Sequence, residues 1–516
     1  MTGQWKAKKT LAMYEEQIKK SGLKRVLGKW SLTALGIGCV IGAGIFVMTG
    51  LAAKEYAGPA LTLSFIVAGL GCTFAALCYA EFASIIPVEG SAYSYSYATM
   101  GELFAWIIGW DLIIEYSMSS STVAVGWSGY FIKLLGMFHV HLPMWMVNDI
   151  TTAKALLREA TEKGTMGDLS ARFSSIDLPQ LMGFNIAVNI PAVLVCLLIT
   201  FILLRGIRQA ANTNLFMVIL KVTVVLFVII AGAFYVDTAN WSPFIPAPAL
   251  NSQGDMAFGF SGIMMGAAYV FFAYVGFDAV STQAGEAINP RKDIPFGIIV
   301  SLVVCTTLYV LVSLVLTGMV KYTDLDITAP VASAFTRHGL HFSAWFISIA
   351  AVAGLTSVLL VNILAQSRLF LAMAKDGLLP KGIFGTLHPV YQTPYKGTLL
   401  TGTVIAITAG VVPLETIAKM VNIGTLFAFV MVCIAVFIMR YKQPNVNRPF
   451  RVPYLPVIAF LGIFFNLGMM VYLGWGNWLR LFVWMGIGLI IYFAYSQRHS
   501  VLRLKHDHPE KSEPTI

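Results

Sequence analysis

Apolar runs long enough to cross a bilayer recur along this chain about every 30 to 40 residues. Each is close to the roughly 20 residues that cover a hydrocarbon core about 30 Å thick. Twelve such runs are expected, at residues 30–53, 59–86, 101–135, 186–204, 211–236, 259–283, 296–320, 343–373, 396–412, 418–440, 455–474 and 479–497. A chain with 57% hydrophobic and only 12% charged residues lies outside the soluble globular range. The reading is an all-α polytopic membrane protein with one membrane domain.

Orientation follows from lysine and arginine in the short loops, because the cytoplasmic side carries the excess. Basic residues crowd the segment before span 1 (Lys6, Lys8, Lys9, Lys19, Lys20, Lys24, Arg25, Lys29), and recur at Arg205 and Arg208, Arg291 and Lys292, Lys375 and Lys381, and Arg440, Lys442, Arg448 and Arg451. Every one of these loops falls on the same side, so both termini are expected in the cytoplasm of a multi-pass plasma-membrane protein. The net charge of +10 is then accounted for by topology and anionic lipid, with no nucleic-acid partner. The segment 1–29 is polar and basic rather than a cleaved signal peptide.

Several chemistries are excluded. All six cysteines lie within expected spans, which predicts no disulfide framework. The eight histidines lie in loops or tails, leaving no intramembrane metal-ligand set, and no hydrolase, protease or nucleotide-binding motif is present. The chain is therefore not expected to be an enzyme, and no cofactor is expected. The long outer segment 137–183 mixes both charges and is expected to form a short helical cover.

Span 1, "SLTALGIGCVIGAGIF", holds Gly36, Gly38, Gly42 and Gly44 within nine residues. The spacing of Gly38 and Gly42 also suits close packing against a neighbouring helix. Span 6, "VFFAYVGFDAVSTQAGEAINP", is interrupted by Gly276 with Asp278 close behind. Five is odd, so spans 1 and 6 enter the membrane from opposite sides, and a repeat relating spans 1–5 to spans 6–10 must be inverted. Unwound segments in such a pair are the pattern of secondary transporters. Exposed amides at one half-helix end and carbonyls at another suit the carboxylate and ammonium of an α-amino acid.

The stretches "LGIGCVIGAGIFVMTG", "AGPALTLSFIVAG", "YAEFASIIPVEGSAYSYSYATMGELFAWIIGWDLIIEY", "FFAYVGFDAVSTQAGEAINPRKDIP" and "AMAKDGLLP" carry a resemblance over almost the whole chain. The sequence resembles the amino acid, polyamine and organocation transporter superfamily, and within it the cationic amino acid transporter family, bacterial type. That resemblance implies a five-plus-five inverted repeat with broken helices 1 and 6, two extra C-terminal helices, and alternating access. Its units would be 30–236 and 237–440 for the repeats, 441–497 for the added helices, and 498–516 for a cytoplasmic tail.

By the same resemblance, Val40, Ile41, Gly42, Ala43, Gly44, Phe272, Ala273 and Val275 surround the substrate. The amides of Ala43 and Gly44 would take the carboxylate, and the carbonyls of Val40, Phe272 and Val275 the ammonium. Relatives often carry serine where this chain has Ala43, so a side-chain hydroxyl is missing there. Phe272 falls at an aromatic lid, while Phe271 and the Met264–Met265 pair are expected to be packing or lipid surface. Asp278 belongs to the inner gate, and Glu286 to a solvated exit.

Ionisable groups at mid-membrane depth are costly and functional by default. Lys221 in "NLFMVILKVTVVLF" is one such group. The resemblance sets it against Gly38 and the Ser357 turn, where sodium-coupled relatives bind a cation, which points to proton coupling. Glu115, four residues after Asp111 on span 3, is either an anionic wall for lysine or arginine side chains or a brace for freed backbone. By the resemblance, Asn362 borders the substrate side chain. The expected function is proton-coupled symport of L-amino acids, cationic ones such as arginine and lysine first and small neutral ones such as alanine second, with an exchanger as alternative and a membrane enzyme or receptor as the remote one. Membrane lipids are the remaining expected partners, and a small membrane-protein or sterol partner is left open.

Overall fold

The computed structural model describes residues 27–86, 91–205, 210–251, 254–283, 287–389, 391 and 393–502. Expectations that rest on residues 1–26, Arg208, Glu286 and 503–516 lie outside the described residues. The principal helices are α1 (Lys29–Val40), α2 (Leu61–Ile85), α3 (Glu102–Met137), α4 (Ile190–Leu204), α5 (Ala210–Ala233), α6 (Gly259–Val270), α7 (Pro290–Met319), α8 (His341–Lys375), α9 (Tyr395–Val411), α10 (Leu414–Lys442), α11 (Leu455–Tyr472) and α12 (Trp475–Ile491). Among the described residues, eight helical segments are long and apolar enough to cross a membrane, the first of them running from Lys29 to Ile85 through both α1 and α2. The helix α4 is apolar but shorter.

Two helices are discontinuous. After α1 the backbone extends at Ile41 (φ −73°, ψ 101°) and resumes as a half-helix over 44–57 that alternates π-helical and α-helical turns. After α6 the chain tightens into a 3-10 turn at Phe271–Tyr274, extends at Val275, and passes Gly276 at φ +110°, a value that favours glycine. A second 3-10 segment, Phe277–Gln283, follows. Both interruptions fall where glycine predicts them.

Helices α3 and α8 lie along one another, as do α2 and α7, with α1 against α7 and α10 against α3 and α11. One continuous apolar core runs through these contacts. The segment after α3 folds into helices Met144–Val147, Ile150–Lys163 and Met166–Arg172, with its own small core around Met144, Ala153 and Phe173. Arg172 joins this cover to the loop after α7 through Asp326, at 3.4 Å. Among the described residues the helical fold is interrupted by two-residue strand pairs, Gln180–Leu181 with Phe184–Asn185 and Ala249–Leu250 with Met256–Ala257, and by an isolated bridge between Leu27 and Ala287. All six cysteines are unpaired.

Candidate functional site

A cavity of about 30 Å³ lies where the two interruptions meet, lined by Val40, Gly42, Ala43 and Gly44 from the first and Phe272, Val275 and Gly276 from the second. Its remaining wall comes from α3 (Glu115, Tyr116, Ser119, Val123) and α8 (Val358, Val361, Asn362, Ala365). About 10–15 Å³ accommodates one water centre, so this closed form has room for about two waters. A whole ligand needs these elements to part.

The first interruption leaves amides uncovered by geometry, because the first turn of any helix has no intrahelical acceptors for its N–H groups. No side chain caps the half-helix at Ala43. The carbonyl side is braced instead. Lys221 of α5, 1% exposed, donates from Nζ to the Gly38 carbonyl at 2.9 Å. Its aliphatic stem lies against Gly354 of α8, one turn before Ser357, which is itself half-buried. Tyr130 donates to the Phe46 carbonyl at 2.6 Å, and Thr49 to Ile45 at 2.6 Å.

The second interruption is braced by Asn422 of α10, whose Nδ2 donates to the carbonyls of Ala268 and Tyr269, each at 2.8 Å. Tyr309 of α7 serves both interruptions. Its hydroxyl lies 2.8 Å from the Val40 carbonyl and 2.8 Å from the Ala273 carbonyl, and has one hydrogen to give them.

Helix α3 carries two buried carboxyl groups, one of them on the cavity wall. Glu115 is 2% exposed and lines the cavity, with Thr425 in hydrogen-bonding reach and Oε2 without a partner. Asp111, 0% exposed, packs beside Gly424, and neither of its oxygens has a partner. Asn362 donates to Ser119 Oγ at 3.1 Å, tying α8 to α3 beside the cavity.

Of the residues expected around the substrate, Ile41 and Ala273 do not line the cavity. Unwinding at 41–42 turns Ile41 into the core, where it is 0% exposed, and the Ala273 carbonyl is held by Tyr309. The carbonyls of Val40 and Phe272 already accept from Tyr309 and from the Val275 amide, which leaves each a second lone pair. Asp278 is buried outside the lining, close enough for its charge to reach Glu115 and Cys39. Phe272 lines the cavity, whereas Phe271 packs edge-on against Phe429 in the core.

The glycines have two uses rather than one. A Cβ on Gly38 would collide with Val218, and one on Gly44 with the Ala273 backbone, so both permit close packing. Gly42 meets nothing nearer than Val358 at 3.4 Å, and its Cα faces the opening. Tyr309 and Asn422 were not legible as site residues. The hydroxyl-rich run "SMSSST" inside α3 is the one sequence signal that marks a missed lining residue, Ser119.

The chain matches the amino acid permease family over residues 27–495, and it belongs to that family, within the amino acid, polyamine and organocation superfamily. It is therefore a transporter of a multi-pass membrane family and not an enzyme. It is similar to the branched-chain amino acid permease BcaP of Bacillus subtilis (46% identical, covering 94% of this chain and 95% of the relative). It is also similar to the methylthioribose transporter of the same organism (44% identical, 96% and 98%). Cationic amino acid transporter 3 of Arabidopsis thaliana is 37% identical over 81% of this chain and 63% of its own length.

Proposed function

We propose that the protein is a proton-coupled symporter of L-amino acids that works by alternating access, with small or branched neutral side chains as its preferred cargo. The observation that carries this reading is a cavity formed at two interrupted helices, where uncapped backbone faces a wall of Val123, Val358 and Val361. Backbone amides at Ala43 and Gly44 take the carboxylate, and the spare lone pairs of Val40 and Phe272, with Val275, take the ammonium. The valine wall suits an apolar side chain, as does the similarity to a branched-chain permease. Lys221 supplies the coupling proton, since an amine bonded to the Gly38 carbonyl changes its hold on α1 when it loses charge. This reading takes twelve crossings in a five-plus-five inverted repeat, in the plasma membrane with both termini inside.

Competition of one radiolabelled amino acid by the other nineteen in proteoliposomes tests the cargo. Uptake driven by a pH gradient and indifferent to replacing sodium with choline tests the coupling, and uptake only into preloaded vesicles would make the protein an exchanger. Failure of every amino acid to compete would defeat the reading in favour of a cargo without charged ends, such as methylthioribose.

A second reading, arginine or lysine as cargo, rests on the unpartnered Oε2 of Glu115 at the cavity wall. Under it, Glu115→Gln weakens arginine binding at least tenfold more than alanine binding. A uniform loss across substrates makes Glu115 a brace and leaves the neutral-cargo reading standing.

A further inference from the structure

A second pocket, of about 60 Å³, is lined by Tyr56, Asp255, Met265, Tyr269, Lys419 and Tyr472. It is built by the far end of the half-helix 44–57, the turn before α6, α6 itself, and α10. We propose that this pocket is a second ligand site, for an organic ammonium group.

Charge favours a cation there. The carboxylates of Glu415, Asp255 and Glu55 all act on the pocket tyrosines, against one ammonium, that of Lys419. Lys419 is already engaged, with Nζ 2.8 Å from Glu415 and 5.6 Å from the centre of the Tyr56 ring. Tyr56 also donates to Glu415. That pairing consumes the lysine and leaves the pocket with an excess of negative charge, carried at its exposed rim by Asp255.

The walls favour an organic cation over a hydrated metal ion. Tyr56 and Tyr269 present neighbouring rings, with centroids 5.4 Å apart and planes tilted by 39°. Aromatic faces beside a carboxylate are the chemistry that holds alkylammonium groups. Tyr269 is 1% exposed, and its hydroxyl oxygen has no partner, an unusual state for a buried polar atom that lines a pocket. An ammonium N–H donated to that oxygen removes the anomaly. The volume holds an ammonium head with one or two attached carbons, not a peptide.

Position gives such a site a consequence. Tyr56 belongs to the half-helix that continues from Gly44, and Tyr269 precedes Phe272 by three residues on the other interrupted element. An occupant therefore touches both elements that enclose the central cavity without entering it. The ammonium end of an amino acid and a free amine share this chemistry.

The test is binding of radiolabelled methylammonium, which lacks the carboxylate needed at the central cavity, to the purified full-length protein at fixed ionic strength. Saturable binding is expected, weakened at least tenfold by Asp255→Asn and several-fold by Tyr269→Phe. Asp255 sits on an exposed turn, so its asparagine variant folds, which unchanged amino-acid uptake at saturating substrate would verify. Displacement of methylammonium by alanine assigns the site to amino acids, and displacement by ethylammonium alone assigns it to simple amines. Absence of saturable binding overturns the proposal. So does binding that survives Asp255→Asn but disappears in Phe272→Ala, which would put the cation in the central cavity.

Discussion

The two interrupted helices meet the same backbone problem with different chemistry. At the first, the carbonyls of Gly38, Val40 and Phe46 are taken by Lys221 of α5, Tyr309 of α7 and Tyr130 of α3. At the second, Ala268 and Tyr269 are taken by one asparagine amide, and Ala273 shares with Val40 the single hydroxyl hydrogen of Tyr309. All these partners satisfy groups that lipid could not. Only the first set includes a donor whose charge can change. A neutral amide holds its segment at a fixed strength, whereas an amine holds it more strongly protonated than not. Under the proposed coupling the difference divides the labour, with a clamp at the second interruption and a switch at the first.

The largest effect is expected where the switch is removed. Lys221→Met keeps much of the stem that packs on Gly354 while leaving the Gly38 carbonyl unpaired, and it should abolish pH-driven accumulation in proteoliposomes. Substrate binding should survive, because Lys221 does not line the cavity. Concentrative uptake retained in this variant would break the comparison at once.

The clamp predicts a different profile. Asn422→Leu removes two hydrogen bonds; the Tyr269 carbonyl keeps a backbone N–H partner, while the buried Ala268 carbonyl loses its side-chain donor, a loss of roughly 1–3 kcal/mol. Thermal unfolding should occur at a lower temperature, with uptake reduced at every pH by a similar factor. A change in the shape of the pH profile would mean that the second interruption also takes part in switching.

Much of this contrast was visible in the sequence, but only from one side. Gly42 and Gly276 mark where the helices stop, and Lys221, Glu115 and Phe272 stand out because a charge in an apolar run, or an aromatic ring beside a glycine, is conspicuous. The bracing partners were hidden. Tyr309 reaches Val40 across 269 residues of chain, and Asn422 reaches Ala268 across 154, so neither pairing leaves a local trace. A tyrosine or asparagine in a mostly apolar helix looks the same whether it faces a neighbour's carbonyl or a headgroup. Ile41 and Ala273 lie outside the cavity lining, because unwinding rotates side chains by amounts that helical periodicity cannot supply.

Adjacent phenylalanines sharpen the comparison at a finer scale. Phe271 is 0% exposed against Phe429, and truncating such a ring costs about 3–5 kcal/mol, so Phe271→Ala should lower folded stability while leaving substrate affinity of the surviving protein near normal. Phe272 lines the cavity at 5% exposure, and Phe272→Ala should instead speed substrate release several-fold with a smaller loss of stability. Paired measurements of unfolding temperature and dissociation rate separate the two, and parallel changes in both variants would put the register of this turn in error.

The smallest effect is expected at the residue the two interruptions share. Tyr309 has one hydroxyl hydrogen and two carbonyl acceptors at equal distance, so Tyr309→Phe removes one hydrogen bond while keeping the ring that packs against Phe65 and Tyr274. A single neutral hydrogen bond contributes about 0.5–1.5 kcal/mol, which corresponds to a change of about two- to twelvefold in an equilibrium. If the hydroxyl only stabilises each segment separately, the variant should lower unfolding temperature slightly and leave transport unaltered. If it couples them, the double variant Tyr309→Phe/Asn422→Leu should lose less transport than the two single losses combined, because the first change has already freed one segment from the other. The non-additive part of that cycle, measured in uptake rate, is the coupling between a clamped break and a switchable one, and additivity within error would show that the two move independently.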